Sequence, residues 1–388
     1  MKIPFTFSLS PDSPAITPGS VLWSKQLPAS RLAFGSHPEK EDFDPAVTYG
    51  DYFTAARDFL TRNDCAELCA AVTAATGETT APDDLNRVGI HLVKHGAFYH
   101  PSLVIADTGA RRLHFVLNVA VSSNGARILD QEYLNFTRLH KELTTPFWPL
   151  VFARGRGACQ GRGSFPMFLG QWLEGYYEFH LHTNGDTGAR EVRVWDTDRG
   201  HWVLSEPQVD ELIRQAASVL AYAYNPLTLE AILNWHHAAG DFVVSLMHGQ
   251  LDVRLISVRK YAPMVRLDEP DVTDILDSML VYLIHISLRL RIDRLHGTDG
   301  LACYPSSTVP AACRGFFHGL HSAAALRRLP EDFIPTLKQY MRLLSPPELT
   351  AMIRSVIKKC APDTRERILL EDSSDEHAAA LARTLAET

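Results

Sequence analysis

A chain of 388 residues is long enough for one bilobal unit or for two to three domains, which excludes a small disulfide-stapled fold. With 46% hydrophobic and 21% charged residues it has the composition of a folded protein, not of a disordered one. A net charge of -7 and a pI near 6.2 exclude a broad basic footprint, so neither nucleic acid nor a membrane is an expected partner.

Taken in chain order, residues 1–49 are rich in proline and serine without sustained periodicity and read as an extended arm. Met1–Ser20 carries one lysine and is broken by Pro4, Pro11, Pro14 and Pro18, so no signal-peptide core is expected and the cytoplasm is the default compartment. Tyr52, Phe53, Ala56, Phe59 and Leu60 recur at helical spacing, and the pattern continues through Leu68 and Val72 to Gly77. Cys65 and Cys69 would share a face of that helix. With Cys159, Cys303, Cys313 and Cys360 they lack the paired short spacings of a zinc site and read as reduced, buried thiols. From Val88 the period shortens: Ile90 and Leu92, then Leu103–Ile105, predict two strands, and Leu113–Val121 is the strongest strand in the chain.

Leu129, Tyr133, Phe136 and Leu139 then form one stripe of an amphipathic helix. A strand over Pro149–Gly155, a glycine-rich loop carrying Arg154, Arg156 and Arg162, and a strand over Pro166–Gly175 follow. Arg190–Leu204 suggests a small hairpin, Glu206–Tyr224 a helix, and Asp241–Val258 a hairpin turning at His248 and Gly249. Helices are expected near 272–296, 332–344, 346–360 and 376–386. The apolar run Met279–Leu288 is about half a bilayer span and is followed by Arg289 and Arg291, so it predicts a core helix.

This order resembles the protein-kinase-like fold. The stretch Phe115–Val121 is similar to the third strand of aminoglycoside and choline phosphotransferases, and the helix after it carries Glu132 where the family has its ion-pairing glutamate. Pro149–Gly155 and Met167–Gly175 resemble the fourth and fifth strands, Asn234–Val244 the catalytic loop, and Leu255–Tyr261 the metal-binding motif. The resemblance spans roughly Val88–Leu295. It implies an α+β, two-lobed architecture: an arm and helical extension over 1–84, a β-rich lobe over 85–175 and a helical lobe over 176–388.

It also implies a site with ATP and magnesium as cofactors, acting on a small hydroxylated molecule. A kinase-type site needs a lysine, a paired glutamate, a catalytic aspartate and metal-binding groups, because each meets the charge of a polyphosphate. Here the lysine position reads Asn118, which keeps hydrogen-bonding capacity and loses the cation. In one register His236 takes the catalytic aspartate's position, Asp241 the first metal ligand's and Ser257 the second's; in a shifted register Asp241 is the catalytic aspartate, preceded by His237. His236 could serve as a general base near neutral pH, or lie exposed in its loop. Lys94 and Gly96 fall where a phosphate-covering loop would run.

These departures leave open a small-molecule phosphotransferase with an unusual site, a nucleotide-binding pseudokinase, and a scaffold that binds no nucleotide and engages a protein partner. The arginines among the glycines of 154–163 could cradle a phosphate, although a flexible hairpin connection is the preferred reading, since no GKS or GKT follows. His180, His182, His236, His237 and Asp241 invite a metal-hydrolase reading, but their spacing matches no helix-borne zinc site. No GxSxG nucleophile elbow is present. Arg289, Arg291 and Arg294 read as cations complementing the end of a long helix.

Overall fold

The β-branched and alternating runs between residues 5 and 171 pair into one mixed sheet. The structure, a computed structural model, describes residues 3–28, 47–197, 199–235, 238–267, 269–297, 300–360 and 364–387. Strand β1 (Phe5–Ser8) lies parallel to β2 (Arg87–His91), and β2, β3 (His100–Asp107), β4 (Arg112–Val119), β6 (Gly163–Gln171) and β5 (Val151–Cys159) follow antiparallel in that order. The one-turn helix α1 (Val21–Ser24) and the long α2 (Tyr49–Thr76) precede the sheet, and α3 (Ser123–Glu142) joins β4 to β5.

Helix α2 starts at a reciprocal capping box between Thr48 and Asp51, which satisfies backbone donors left open in the first turn. It packs across β5, and its Phe53, Phe59 and Leu60 enter one core with Phe115, Leu117, Met167 and Leu169 of the sheet. The approach is close at Gly157, where a Cβ would run into the Ala55 carbonyl oxygen. On α3, Leu129, Phe136 and Leu139 are buried, the stripe that the sequence marks.

The contacts divide the chain into two units, Met1–Arg138 with Pro149–Glu174, and Leu139–Trp148 with Gly175–Thr388. The second unit holds β7 (Phe179–Thr183), β8 (Arg190–Val194) and β9 (Trp202–Leu204) in one small sheet, then α4 (Glu206–Ala223). Two antiparallel ladders follow, β10 (Glu230–Leu233) with β13 (Lys260–Pro263), and β11 (Phe242–Met247) with β12 (Gln250–Leu255), a single turn α5 (Ala238–Asp241) leading into β11. Helix α6 (Val272–Arg289) leads to the ladder β14 (Ile292–Leu295) with β15 (Gly300–Cys303) and to α7 (Val309–Ala324), α8 (Phe333–Arg342), α9 (Pro346–Cys360), α10 (Thr364–Asp372) and α11 (Ser374–Glu387). Helix α7 comes close enough to α4 that a Cβ on Gly319 would meet the Ser218 carbonyl.

Four expectations need correction. The helical lead-in is broken, because Asn63, Asp64 and Cys65 have φ of 47, 54 and 62°, so Cys65 and Cys69 are both buried without being one helical turn apart. The arm contributes a strand to the sheet. The glycine-rich stretch continues β5 as far as Cys159 and reverses at 160–162, since strand pairing with β6 satisfies backbone groups that a loop would leave to solvent. The second unit is less purely helical than expected: α6 stops at Arg289, and residues 292–295 pair as a strand. Among the described residues no helix is long and apolar enough to cross a membrane, and Met279–Leu288 is the buried stretch of α6.

The close approach at Gly157 gives a direct test. Gly157→Ala is expected to cost about 2 kcal/mol or more, as overpacking against rigid backbone does, read as a lower urea midpoint. Gly185→Ala, which meets open space, is expected to change stability by less than about 0.5 kcal/mol.

Candidate functional site

Strand register builds the site. Because Phe242 opens β11 opposite Leu255 at the end of β12, the residue before β11 is brought beside the residues after β12. Because Leu233 ends β10 opposite Lys260 at the start of β13, the residue after β10 is likewise brought beside the residue before β13. The end of β10 and the start of β11 are therefore joined to the link 256–259 at its two ends. Asn234 meets Arg259, and Asp241 meets Ile256 and Ser257.

Asp241 is 2% exposed. Its backbone carbonyl accepts the Ile256 N–H at 2.8 Å, and its Oδ1 accepts both the Ser257 hydroxyl and the Arg259 guanidinium, the latter at 2.7 Å. The other arm of Arg259 donates to the Asn234 carbonyl at 3.3 Å. One planar guanidinium thus ties both ends of the loop, which the single ammonium of a lysine would not do in the same geometry. Arg259 escapes the motif reading of the sequence, although a basic residue two positions after Ser257 was the available signal.

The loop also rests on a post. Trp235, 2% exposed, lies nearly perpendicular to the His285 ring of α6 at 5.9 Å between centroids, and the Arg289 guanidinium lies 5.8 Å from the indole centroid. Arg289 is paired to Glu366 at 2.6 Å with both side chains buried. Burial, with Arg289 adding repulsion, pushes the His285 imidazole down to about 3, so it stays neutral. His236 and His237 lie outside the described residues, and the expectation for His236 is neither met nor overturned.

In the first unit, Glu132 of α3 is wholly buried and accepts the Tyr99 hydroxyl at 2.6 Å. Asn118 sits on β4 between Pro101 and Phe168 in register, 8% exposed. Lys94 and Gly96 occupy the connection between β2 and β3, where the Gly96 N–H closes a turn onto the Tyr99 carbonyl at 3.1 Å. The stretch 154–163 is the hairpin connection that the sequence reading favours over a phosphate cradle, and its arginines have partners within the chain. Arg154 stacks on Tyr133 at 5.3 Å and pairs with Asp130 at 3.5 Å, Arg156 donates to Ser164, and Arg162 pairs with Asp51 at 3.5 Å.

His180 and His182 form a separate cluster on β7. The Trp195 indole can only donate, so His182 Nε2 accepts from it at 3.1 Å and the His182 proton sits on Nδ1, toward His296 Nδ1 at 2.9 Å. Burial, helped by Arg193, His296 and His180, pushes His182 down to about 4. His180 Nδ1 faces Asp293, which also accepts the Leu181 N–H at 2.6 Å. Among the described residues no group of three His, Cys, Asp or Glu side chains could hold a metal ion, which leaves the hydrolase reading without a ligand set there. Arg291, expected to complement a helix end, is instead buried against the Tyr304 carbonyl and His377 Nδ1.

Magnesium can be tested against Asp241 directly. The ion asks for a near-octahedral oxygen shell at roughly 2.0–2.1 Å, built on carboxylates and water. Here one oxygen of the only carboxylate among the described residues of the site, Oδ1, is shared by a hydroxyl donor and a guanidinium, whose charge stands where the ion would sit. Two unit charges about 4 Å apart repel by about 4 kcal/mol at an effective dielectric near 20, and a dication by about twice that. The residues present do not fit the ion while Arg259 stays in place. No protein-family model matches this sequence, and no curated protein matches it.

The buried imidazoles set a pH dependence. Unfolded histidine takes up its proton near pH 6.5, whereas His285 and His377 are held down to about 3 and His100 to about 4, in each case mainly by burial. Between those values the unfolded state binds more protons, so stability is complete above about pH 6.5 and falls as pH drops. Each such histidine contributes a slope of about 1.4 kcal/mol per pH unit in that window. Urea titrations from pH 7.5 to 4.5 are expected to show this loss, and His285→Phe to shrink the slope by about one proton's share.

Proposed function

We propose that this chain is a kinase-like protein of the pseudokinase type: it binds a nucleotide and does not transfer phosphate. The observation that carries the reading is the convergence of Asp241 and Ser257, the two positions that one register of the resemblance marks for metal ligation. Strand register brings them into one hydrogen bond, with a single carboxylate between them. Two further arrangements support it. In the first unit the order β2, β3, β4, β6, β5 with a helix between β4 and β5 agrees with the expected β-rich lobe, and that helix buries a glutamate. In the second unit the hairpin β11–β12 follows α4 and opens directly after Asp241, where the resemblance puts the strand after the catalytic loop.

Loss of chemistry follows from the residues themselves. Phosphoryl transfer depends on charge delivered to the polyphosphate by a lysine and by metal ions. Asn118 supplies no charge, Glu132 is engaged by a tyrosine hydroxyl, and Ser257 replaces the second carboxylate. The neutral groups that remain can hydrogen-bond a nucleotide without driving its reaction.

Thermal denaturation in the presence of ATP, ADP or GTP, with and without magnesium, tests this, because a ligand specific to the folded state raises the midpoint by mass action. The expected result is a rise with at least one nucleotide and no phosphate release or transfer to hydroxylated small molecules. Magnesium-dependent turnover would overturn the loss of catalysis. Indifference to every nucleotide would overturn binding and leave a scaffold for a protein partner as the function.

A further inference from the structure

We propose that Arg259 is the resident cation of this site: it fills the place beside Asp241 and Ser257 that a divalent metal takes in a kinase-type site, and it makes the site refractory to divalent cations. The proposal deepens the kinase-like reading and rests on it for the identity of that place, while the geometry belongs to this chain alone.

A carboxylate that is 2% exposed needs a cation or several donors, since an ionised group without compensation is expensive to bury. In a metal site the ion supplies that compensation. Here the guanidinium sits 2.7 Å from the same oxygen that accepts the Ser257 hydroxyl, and it is anchored a second time on the Asn234 carbonyl. The anchoring holds the arginine against displacement, because an entering ion would have to break the bond to Asp241 and the tie across the loop together. The Asp241–Arg259 pair sums to zero charge, whereas the same carboxylate with a dication would carry a net positive charge toward a polyphosphate. A nucleotide bound near this pair gains no help from added magnesium.

Divalent manganese alone, with no nucleotide, is the probe, read by thermal denaturation and by loss of the paramagnetic signal of the free ion. Wild-type protein is expected to show no saturable uptake. Arg259→Ser uncovers the carboxylate and the hydroxyl and is expected to take up manganese about tenfold or more tightly than wild type, and Asp241→Asn in that background to abolish the gain. Arg259→Lys keeps a cation and is expected to stay blind to the metal. Arg259→Gln, which keeps hydrogen-bond donors for the loop and loses the charge, serves as a second neutral variant. If Arg259→Ser is unstable, uptake is read as recovery of its midpoint on adding manganese.

Two results overturn the proposal. One is saturable, Asp241-dependent manganese uptake by the wild type. The other is failure of manganese to bind or to raise the midpoint of either neutral variant. Because no nucleotide is present, a negative result here is separate from failure of nucleotide binding, which is read with Arg259 intact.

Discussion

The buried carboxylate of Asp241 is the constraint around which the middle of the second unit is organised. It lies where two antiparallel ladders exchange strands, in a place that leaves it almost no solvent. A charge so placed must be matched by hydrogen bonds and a counter-charge, and removing one partner of such a pair costs far more than the pair contributes. Asn234 and Asp241 are consequently held together with the link 256–259. Beneath them, Trp235 transfers the position of the loop to α6 through a neutral imidazole and a paired guanidinium.

The first unit shows the same economy of buried polar groups. Glu132 is wholly enclosed on α3 and is matched by a phenol. In both units a buried carboxylate is engaged from within the chain, by Tyr99 in one and by Arg259 and Ser257 in the other. Internal satisfaction of this kind stabilises a fold and leaves less field for a ligand.

Much of the local structure was legible because local rules decide it. The stripe of Leu129, Phe136 and Leu139 fixes α3, and the hairpin β11–β12 turns at His248 and Gly249, both with positive φ, as a two-residue connection requires. What escaped was settled at long range. The break in α2 at Asn63–Cys65 carries no proline or glycine to announce it. Strand β5 runs through glycines that signal a loop, because its partner β6 and the close approach of α2 outweigh their flexibility. The end of α6 at Arg289 falls just past the apolar run, in 289–295, where arginines that would suit a helix end alternate with the apolar residues of a strand. Asp241 and Ser257 were found through motif position, while Arg259 became visible only through register, since its partners Asn234 and Asp241 lie 25 and 18 residues away in the chain.

The central claim is that the Asp241–Arg259 pair, not a metal ion, holds this site together, and a double-mutant cycle with Asp241→Asn and Arg259→Met measures it most directly. Chemical denaturation of the four proteins in the presence of a chelator gives the coupling free energy. The account predicts a coupling of about 2 kcal/mol or more, with each single variant destabilised and the double variant recovering much of the loss. A coupling within about 0.5 kcal/mol of zero would contradict it, because the guanidinium would then be a bystander to a carboxylate compensated by other means.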